Sequence, residues 1–197
     1  MKKKWIYLLI LAFAFLSRFY DKQVTLLITQ HRTSFLDSSA AWFTNTWTIV
    51  IIFFLMATLF LWQEHKRKWI TPLGVSWLIS SVVVIALKIT IQRVRPFESL
   101  ALPLIPGVSY AFSSWNSSFP SHHASTVFSS LPILDKEFQN LKWFWIALSL
   151  LISLSRIYVG VHYLSDVAFG CLIGLLAGDG AILLEKKCFF KWKKKKA

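Results

Sequence analysis

Three clusters in the second half of the chain carry the residue types that phosphoryl chemistry needs. Lys88 is followed, after six residues, by Arg95-Pro96. Pro120-Ser121-His122-His123 forms the second cluster. The third is Ser155-Arg156, then five residues to His162 and three more to Asp166. Together they bring three fixed cations, three histidines and a carboxylate into a very apolar polypeptide, where ionisable groups are costly and mark function. Such a set could bind a phosphate, attack it and protonate its leaving group.

Each cluster reads onto a helix end. Lys88 ends an apolar run, and Arg95 follows by seven residues, about two helical turns, which predicts a shared helix face. Pro96 then ends the helix or forces an extended exit. Taken alone, this cluster equally suits a snorkelling lysine and arginines on lipid headgroups. Pro120 suits a first helical position, which would aim the N–H groups of Ser121, His122 and His123 at an anion. Taken alone, it is also a plain helix cap with two interfacial histidines. Arg156 closes one apolar run, Gly160 is expected to break the chain, and His162 opens the next run. His162 and Asp166 are then i,i+4 and share a face. A carboxylate beside one imidazole nitrogen fixes the tautomer and leaves the other lone pair aimed outward. The bland alternative is a satisfied buried His–Asp pair.

Assembled, the expected roles are as follows. Lys88, Arg95, Ser121, His122 and Arg156 bind phosphate, the cations stabilising charge in the transition state. His162 is the nucleophile, Asp166 orients it, and His123 is the general acid and then the base for water. No Cys/His cluster has zinc spacing and no second acidic cluster is present, so neither a metal nor a cofactor is expected.

Composition sets the surroundings. The 197 residues are 55% hydrophobic, with a mean hydropathy of +0.54; an ordinary soluble domain is about 45–50% apolar even with glycine counted. Cys171 and Cys188 are expected to be free thiols. The net charge of +13 could suggest nucleic acid, but 15 of the 22 Lys and Arg fall in Lys2–Lys4, Lys66–Lys68, Lys136 with Lys142, and Lys186–Lys196. Each segment flanks an apolar run, which is the positive-inside pattern; no nucleic-acid partner is expected.

The chain therefore reads as all-α, a single polytopic domain over 1–197 with six transmembrane helices and a short interfacial helix. The expected spans are Trp5 to about Tyr20, about 46–62, 70–89, 120–134, 143–155 and 162–184, the fourth and fifth short for a bilayer. Lys2–Lys4 before an apolar run also resembles a signal peptide, but Ala12-Phe13-Ala14 falls inside the run, which favours an uncleaved first span. Both termini are expected in the cytoplasm and the clusters on the opposite side. Residues 21–45 read as an amphipathic helix in the interface. Residues 97–119 read as an irregular loop whose aromatics, Phe97, Tyr110, Phe112, Trp115 and Phe119, suit the headgroup region. The tail Lys186–Lys196 reads as a membrane-surface anchor.

The joint pattern resembles the type 2 phosphatidic acid phosphatase (PAP2) superfamily, seen also in vanadium-dependent haloperoxidases. Lys88, Arg95 and Pro96 match its first motif, Pro120, Ser121 and His123 its second, and Ser155, Arg156, His162 and Asp166 its third. The resemblance covers roughly 45–184, with the basic tail, 185–197, beyond it. It implies a six-helix fold, a phosphohistidine route and His123 as acid. The family usually has Gly between the Ser and the His of the second motif, where this chain has His122. A helix start can still present its N–H without Gly, so activity is expected to survive, with His122 on a second phosphate or the headgroup.

The strings Arg-Pro-Phe at 95–97 and Ser-Phe-Pro-Ser-His-His at 118–123 resemble small bacterial undecaprenyl-diphosphate phosphatases. They are nearly as close to phosphatidylglycerophosphate phosphatases. The resemblance thus implies an integral membrane lipid phosphatase, first for undecaprenyl diphosphate; phosphatidylglycerophosphate, phosphatidic acid and lipid A are the alternative substrates. A non-catalytic lipid-binding or translocating bundle is the reading from another class, and the His162/Asp166 pair argues against it, since binding alone needs no oriented nucleophile. Haloperoxidase relatives are soluble, unlike this apolar chain.

Overall fold

The computed structural model describes residues 2–62, 64–108 and 117–196, with side chains described between Lys4 and Lys187. Its elements are α1 (Lys2–Gln30), α2 (Ser34–Thr44), α3 (Thr46–Trp62), α4 (Ile70–Ile91), α5 (Pro96–Ser99), α6 (His122–Glu137), α7 (Lys142–Tyr158) and α8 (Leu164–Lys196), with 3-10 turns at Glu64–Trp69 and Gln139–Leu141. No strand occurs among the described residues. In hydrocarbon a helix satisfies its own backbone, and these Leu-, Ile-, Phe- and Trp-rich runs have no other partner for it.

The bundle is built around α6 and α8. In α6 every residue from Ala124 to Leu134 is buried, which is why a helix of 16 residues with four hydroxyl side chains tolerates so apolar a setting. It is enclosed by α4, α7 and α8. Gly170, Gly174 and Gly178 recur every fourth residue and form one face of α8. A Cβ on Gly170 would lie 2.5 Å from the Ser121 carbonyl oxygen. On Gly174 it would meet the Ser125 carbonyl and lie 2.9 Å from Phe128 Cβ, and on Gly178 it would lie 2.8 Å from Pro132 Cγ. Small residues let the two backbones close, as between helices in lipid.

The outer faces are apolar. Phe13, Phe15, Leu16 and Phe19 of α1, Phe54 and Leu55 of α3, Leu78 and Val82 of α4, and Leu150, Leu151 and Leu154 of α7 are all exposed. Continuous apolar surface on this scale needs a lipid or protein cover. Among the described residues three helices, α4, α7 and α8, are long and apolar enough to cross a membrane, or four if α2 and α3, bent by 58° at Asn45, count as one span.

Several expectations change. The first helix does not stop near Tyr20: α1 has 29 residues, because Asp21 turns inward and is 3% exposed. The single interfacial helix over 21–45 is therefore divided. Residues 21–30 belong to α1, and α2 starts afresh after Thr33, whose hydroxyl accepts from Leu36 N–H at 3.4 Å. Phe97 is not a headgroup aromatic; it packs in a buried cluster with Leu102, Ile105, Val159 and Val161. Phe119 likewise meets Phe169 edge-on, with centroids 5.0 Å apart. Tyr110, Phe112 and Trp115 lie outside the described residues, as do the side chains of Cys188 and of the tail beyond Lys187.

Candidate active site

The three clusters meet at one end of the bundle, where α4 and α7 finish and α6 and α8 begin. A cavity of about 420 Å³ there is lined by Lys88, Arg95, His122, His123, Arg156 and His162. Ala41, Ile85, Phe97, Val108 and Val161 supply an apolar wall. Ser121 and Asp166 stand behind the wall rather than on it, both 0% exposed.

Lys88 sits in the last turn of α4. The helix stops because Gln92 takes a left-handed conformation, φ 46°, and donates its N–H to the Lys88 carbonyl at 3.1 Å. The Lys88 ammonium donates to the Ser117 carbonyl, and the Ser117 hydroxyl returns to the Lys88 carbonyl at 3.1 Å. Arg95 does not share the helix face of Lys88, since three residues outside any helix precede it. It reaches the cavity from an extended position, φ −77° and ψ 152°, with Pro96 starting α5. Its guanidinium donates to the Val161 carbonyl at 2.8 Å. Arg156 is held by Thr44 at the end of α2, whose carbonyl accepts at 2.7 Å and whose hydroxyl accepts as well. All three cations thus spend donors on backbone carbonyls and are fixed in place; an arginine stays protonated throughout.

The start of α6 differs from expectation by two residues. Pro120 precedes the helix, Ser121 is its N-cap and His122 its first residue. Ser121 serves as the helix cap behind the cavity wall. Its hydroxyl accepts from Ala124 N–H at 3.5 Å, and its own N–H donates to the Asp166 carbonyl at 3.0 Å. The N–H groups of His122 and His123 remain at the helix start, where an intrahelical acceptor does not exist. His122 Nε2 lies 2.9 Å from the Ser81 hydroxyl of α4, which holds the ring at the cavity edge. His123 Nε2 is buried with no partner among the described residues. A buried imidazole nitrogen without a partner is uncommon, and this one belongs to a ring that lines the cavity.

His162 precedes α8 in the turn that Gly160 makes possible with φ 78°, so its i,i+4 partner Asp166 stands at ion-pair distance rather than in a hydrogen bond. The two are 3.8 Å apart at Nδ1 and Oδ2. The Nδ1 partner is instead the Ser118 carbonyl at 2.6 Å. A carbonyl only accepts, so Nδ1 carries the proton and Nε2 keeps its lone pair. Asp166 acts one step back. It accepts from the Ser118 hydroxyl and from Tyr163 N–H at 2.9 Å, and it pairs with Arg93 at 2.5 Å. Sequence reasoning missed Ser118, Thr44 and Asp21, the other partner of Arg93 at 2.7 Å. The only signal was Asp21 itself, a carboxylate beside a long apolar run.

The family model described as the PAP2 superfamily matches residues 69–189, which contain all three clusters. The chain belongs to the PAP2 superfamily. The bacitracin transport permease protein BcrC of Bacillus licheniformis is 39% identical over 62 residues, 32% of this chain and 30% of that protein. The undecaprenyl-diphosphatase BcrC of Bacillus subtilis (strain 168) is 28% identical over 152 residues, 75% of this chain and 74% of that protein. An undecaprenyl-diphosphatase of Sulfolobus acidocaldarius is 33% identical over 109 residues, 52% of this chain and 50% of that protein. This chain thus spans about a third of the first relative, three quarters of the second and half of the third. Among solved structures, Aquifex aeolicus LpxE superposes with a TM-score of 0.60 at 27% identity, covering 81% of this chain and 93% of that one. The transmembrane PAP2-type phosphatidylglycerolphosphate phosphatase of Bacillus subtilis superposes with a TM-score of 0.71 at 17% identity, covering 92% and 96%; at that identity the likeness concerns the fold alone.

Proposed function

We propose that this PAP2 chain is an integral membrane lipid phosphatase that removes the terminal phosphate of undecaprenyl diphosphate. The observation that carries the reading is the meeting, in one cavity, of three anchored cations with His162 and His123. Lys88, Arg95 and Arg156 hold the phosphoryl oxygens and stabilise their growing charge. His162 Nε2 attacks phosphorus in line, forming a P–N bond as the P–O bond to the lipid breaks. His123 gives its proton to the leaving oxygen. It then takes a proton from water, which attacks the phosphohistidine and frees His162 and inorganic phosphate. Asp166 holds Ser118, whose carbonyl fixes the tautomer of His162.

The diphosphate is favoured because two relatives carry the name undecaprenyl-diphosphatase and because His122 adds a polar group at the cavity edge. The test is phosphate release in detergent with EDTA present, across undecaprenyl diphosphate, phosphatidylglycerophosphate, phosphatidic acid and lipid A. The diphosphate is expected to give the highest kcat/KM, with EDTA changing it by less than about twofold, since the charge stabilisation comes from fixed donors. Loss of activity in EDTA with recovery on added magnesium would overturn the cation assignment.

If His122 reads the second phosphate, His122→Gly should cost the diphosphate more than the monoesters. One hydrogen bond to a charged group is worth about 1.5–3 kcal/mol, or roughly 10- to 150-fold in relative kcat/KM. An equal change for both substrates would reduce His122 to shaping the helix start through Ser81.

The same proposal places six crossings in the bilayer, by α1, α3, α4, α6, α7 and α8, with both termini cytoplasmic and the site on the far side. The support is the positive-inside rule applied to the 15 Lys and Arg of the four flanking segments. A reporter fused after Ala197 should read cytoplasmic; a periplasmic or external reading would move the reaction to the cytoplasmic leaflet.

A further inference from the structure

We infer that Asp21, on α1, is a positioning residue for the phosphoryl transfer, acting through Arg93 on the groups that hold His162. The inference rests on the phosphatase reading above. It concerns a helix that lies wholly outside the family match, which begins at residue 69.

The connections are short and buried. Arg93 spreads its guanidinium between two carboxylates, 2.7 Å from Asp21 Oδ2 and 2.5 Å from Asp166 Oδ1, and donates to the Ser165 hydroxyl at 2.8 Å. Asp21 accepts again from Ser165, at 3.0 Å from its N–H and 2.5 Å from its hydroxyl. The Arg93 carbonyl accepts from Ser118 N–H at 2.7 Å. Ser118 in turn donates its hydroxyl to Asp166 and accepts the Nδ1 proton of His162. Arg93 therefore grips Ser118 from its backbone and Asp166 from its side chain, and the pair determines where the imidazole stands. The Tyr163 ring lies 4.0 Å below the guanidinium and closes the remaining side.

Asp21 completes this arrangement in two ways. It occupies the second arm of the Arg93 fork, so the planar group is held from both sides by charge-assisted hydrogen bonds and cannot swing away from Asp166. It also receives the Ser165 N–H in the first turn of α8, one of the orphan donors of a helix start. A carboxylate there is further favoured by the helix dipole. The first helix thus anchors the beginning of α8 and the residue beside its nucleophile. Arg93 is an internal counter-ion rather than a phosphate ligand, and it is not among the cavity-lining residues.

The experiment uses the full chain in detergent micelles, with kcat and KM measured on undecaprenyl diphosphate for wild type, His162→Asn, Asp21→Asn and Arg93→Ala. Active wild type with inactive His162→Asn leaves the phosphatase reading standing and makes Asp21 the question. Asp21→Asn keeps the shape and an acceptor for Ser165 but removes the charge. It should lower kcat about 10- to 100-fold, as sub-ångström misplacement of a nucleophile does, with KM within about twofold. Arg93→Ala should fall similarly in kcat and recover in part on adding guanidinium, which a purely structural ion pair would not show. Wild-type kcat in Asp21→Asn, a loss that only tracks the folded fraction on thermal unfolding, or a failure of guanidinium to rescue folded Arg93→Ala would each overturn the inference. A wild type inactive on every lipid phosphate would overturn the phosphatase reading and this inference with it.

Discussion

His162→Ala is expected to lower turnover by at least about 10³-fold, the scale of losing a nucleophile whose companions act as a unit. The cations that hold the lipid phosphate are anchored by Ser117, Val161 and Thr44, none of which depends on the imidazole. Lipid binding should therefore persist. The substitution leaves the Ser118 carbonyl without its partner, at a cost of about 1–3 kcal/mol in stability. His162→Asn is the cleaner variant, since its amide can donate to Ser118 but cannot form a stable phosphoryl bond. Both variants should bind lipid phosphate and release none; near-wild-type phosphate release from either would remove the covalent mechanism and leave the cavity as a binding site.

Gly174→Ala and Gly180→Ala should have opposite signs, although they are the same substitution on the same helix. At Gly174 the new methyl group would lie 2.9 Å from both Phe128 Cβ and Ser129 N, contacts that only backbone movement can relieve. Overpacking of this kind costs about 1–3 kcal/mol. It also pushes α6 from α8, and α6 carries His122 and His123 at its first turn. At Gly180 nothing lies within 4 Å, so alanine should stabilise by up to about 1 kcal/mol through helix propensity. Thermal unfolding in detergent checks the signs, and phosphate release checks that only the first substitution reaches the site. A neutral or stabilising Gly174→Ala would mean that α6 and α8 are not in backbone contact.

The cavity was legible in the sequence because its chemistry lies in side-chain types that an apolar chain keeps for a purpose. Lys88, Arg95, His122, His123, Arg156 and His162 all reach the same space. What holds them was not legible. Ser118 and Thr44 act through carbonyls and hydroxyls, which have no signature in a chain rich in serine and threonine. The i,i+4 spacing of His162 and Asp166 promised a direct hydrogen bond, but the Gly160 turn delays α8 until Leu164, which leaves the pair 3.8 Å apart with Ser118 bonded to both. Asp21 read as part of a polar face because its partner Arg93 is 72 residues away. The glycines at 170, 174 and 178 had a spacing visible from the start, and their meaning came only with the neighbour they admit. Phe97 reads by aromatic character as an interface residue, whereas tertiary packing turns it inward, and Phe119 is half-buried against Phe169.

The most direct measurement follows the phosphorus atom. The protein is mixed with undecaprenyl diphosphate radiolabelled in its terminal phosphate, and the reaction is stopped during turnover by denaturation in alkali. The label should be found on the protein as an alkali-stable, acid-labile adduct that maps to His162, and His162→Asn should take up none. Turnover with no labelled protein at any quench time, or label on a residue other than His162, would contradict the account.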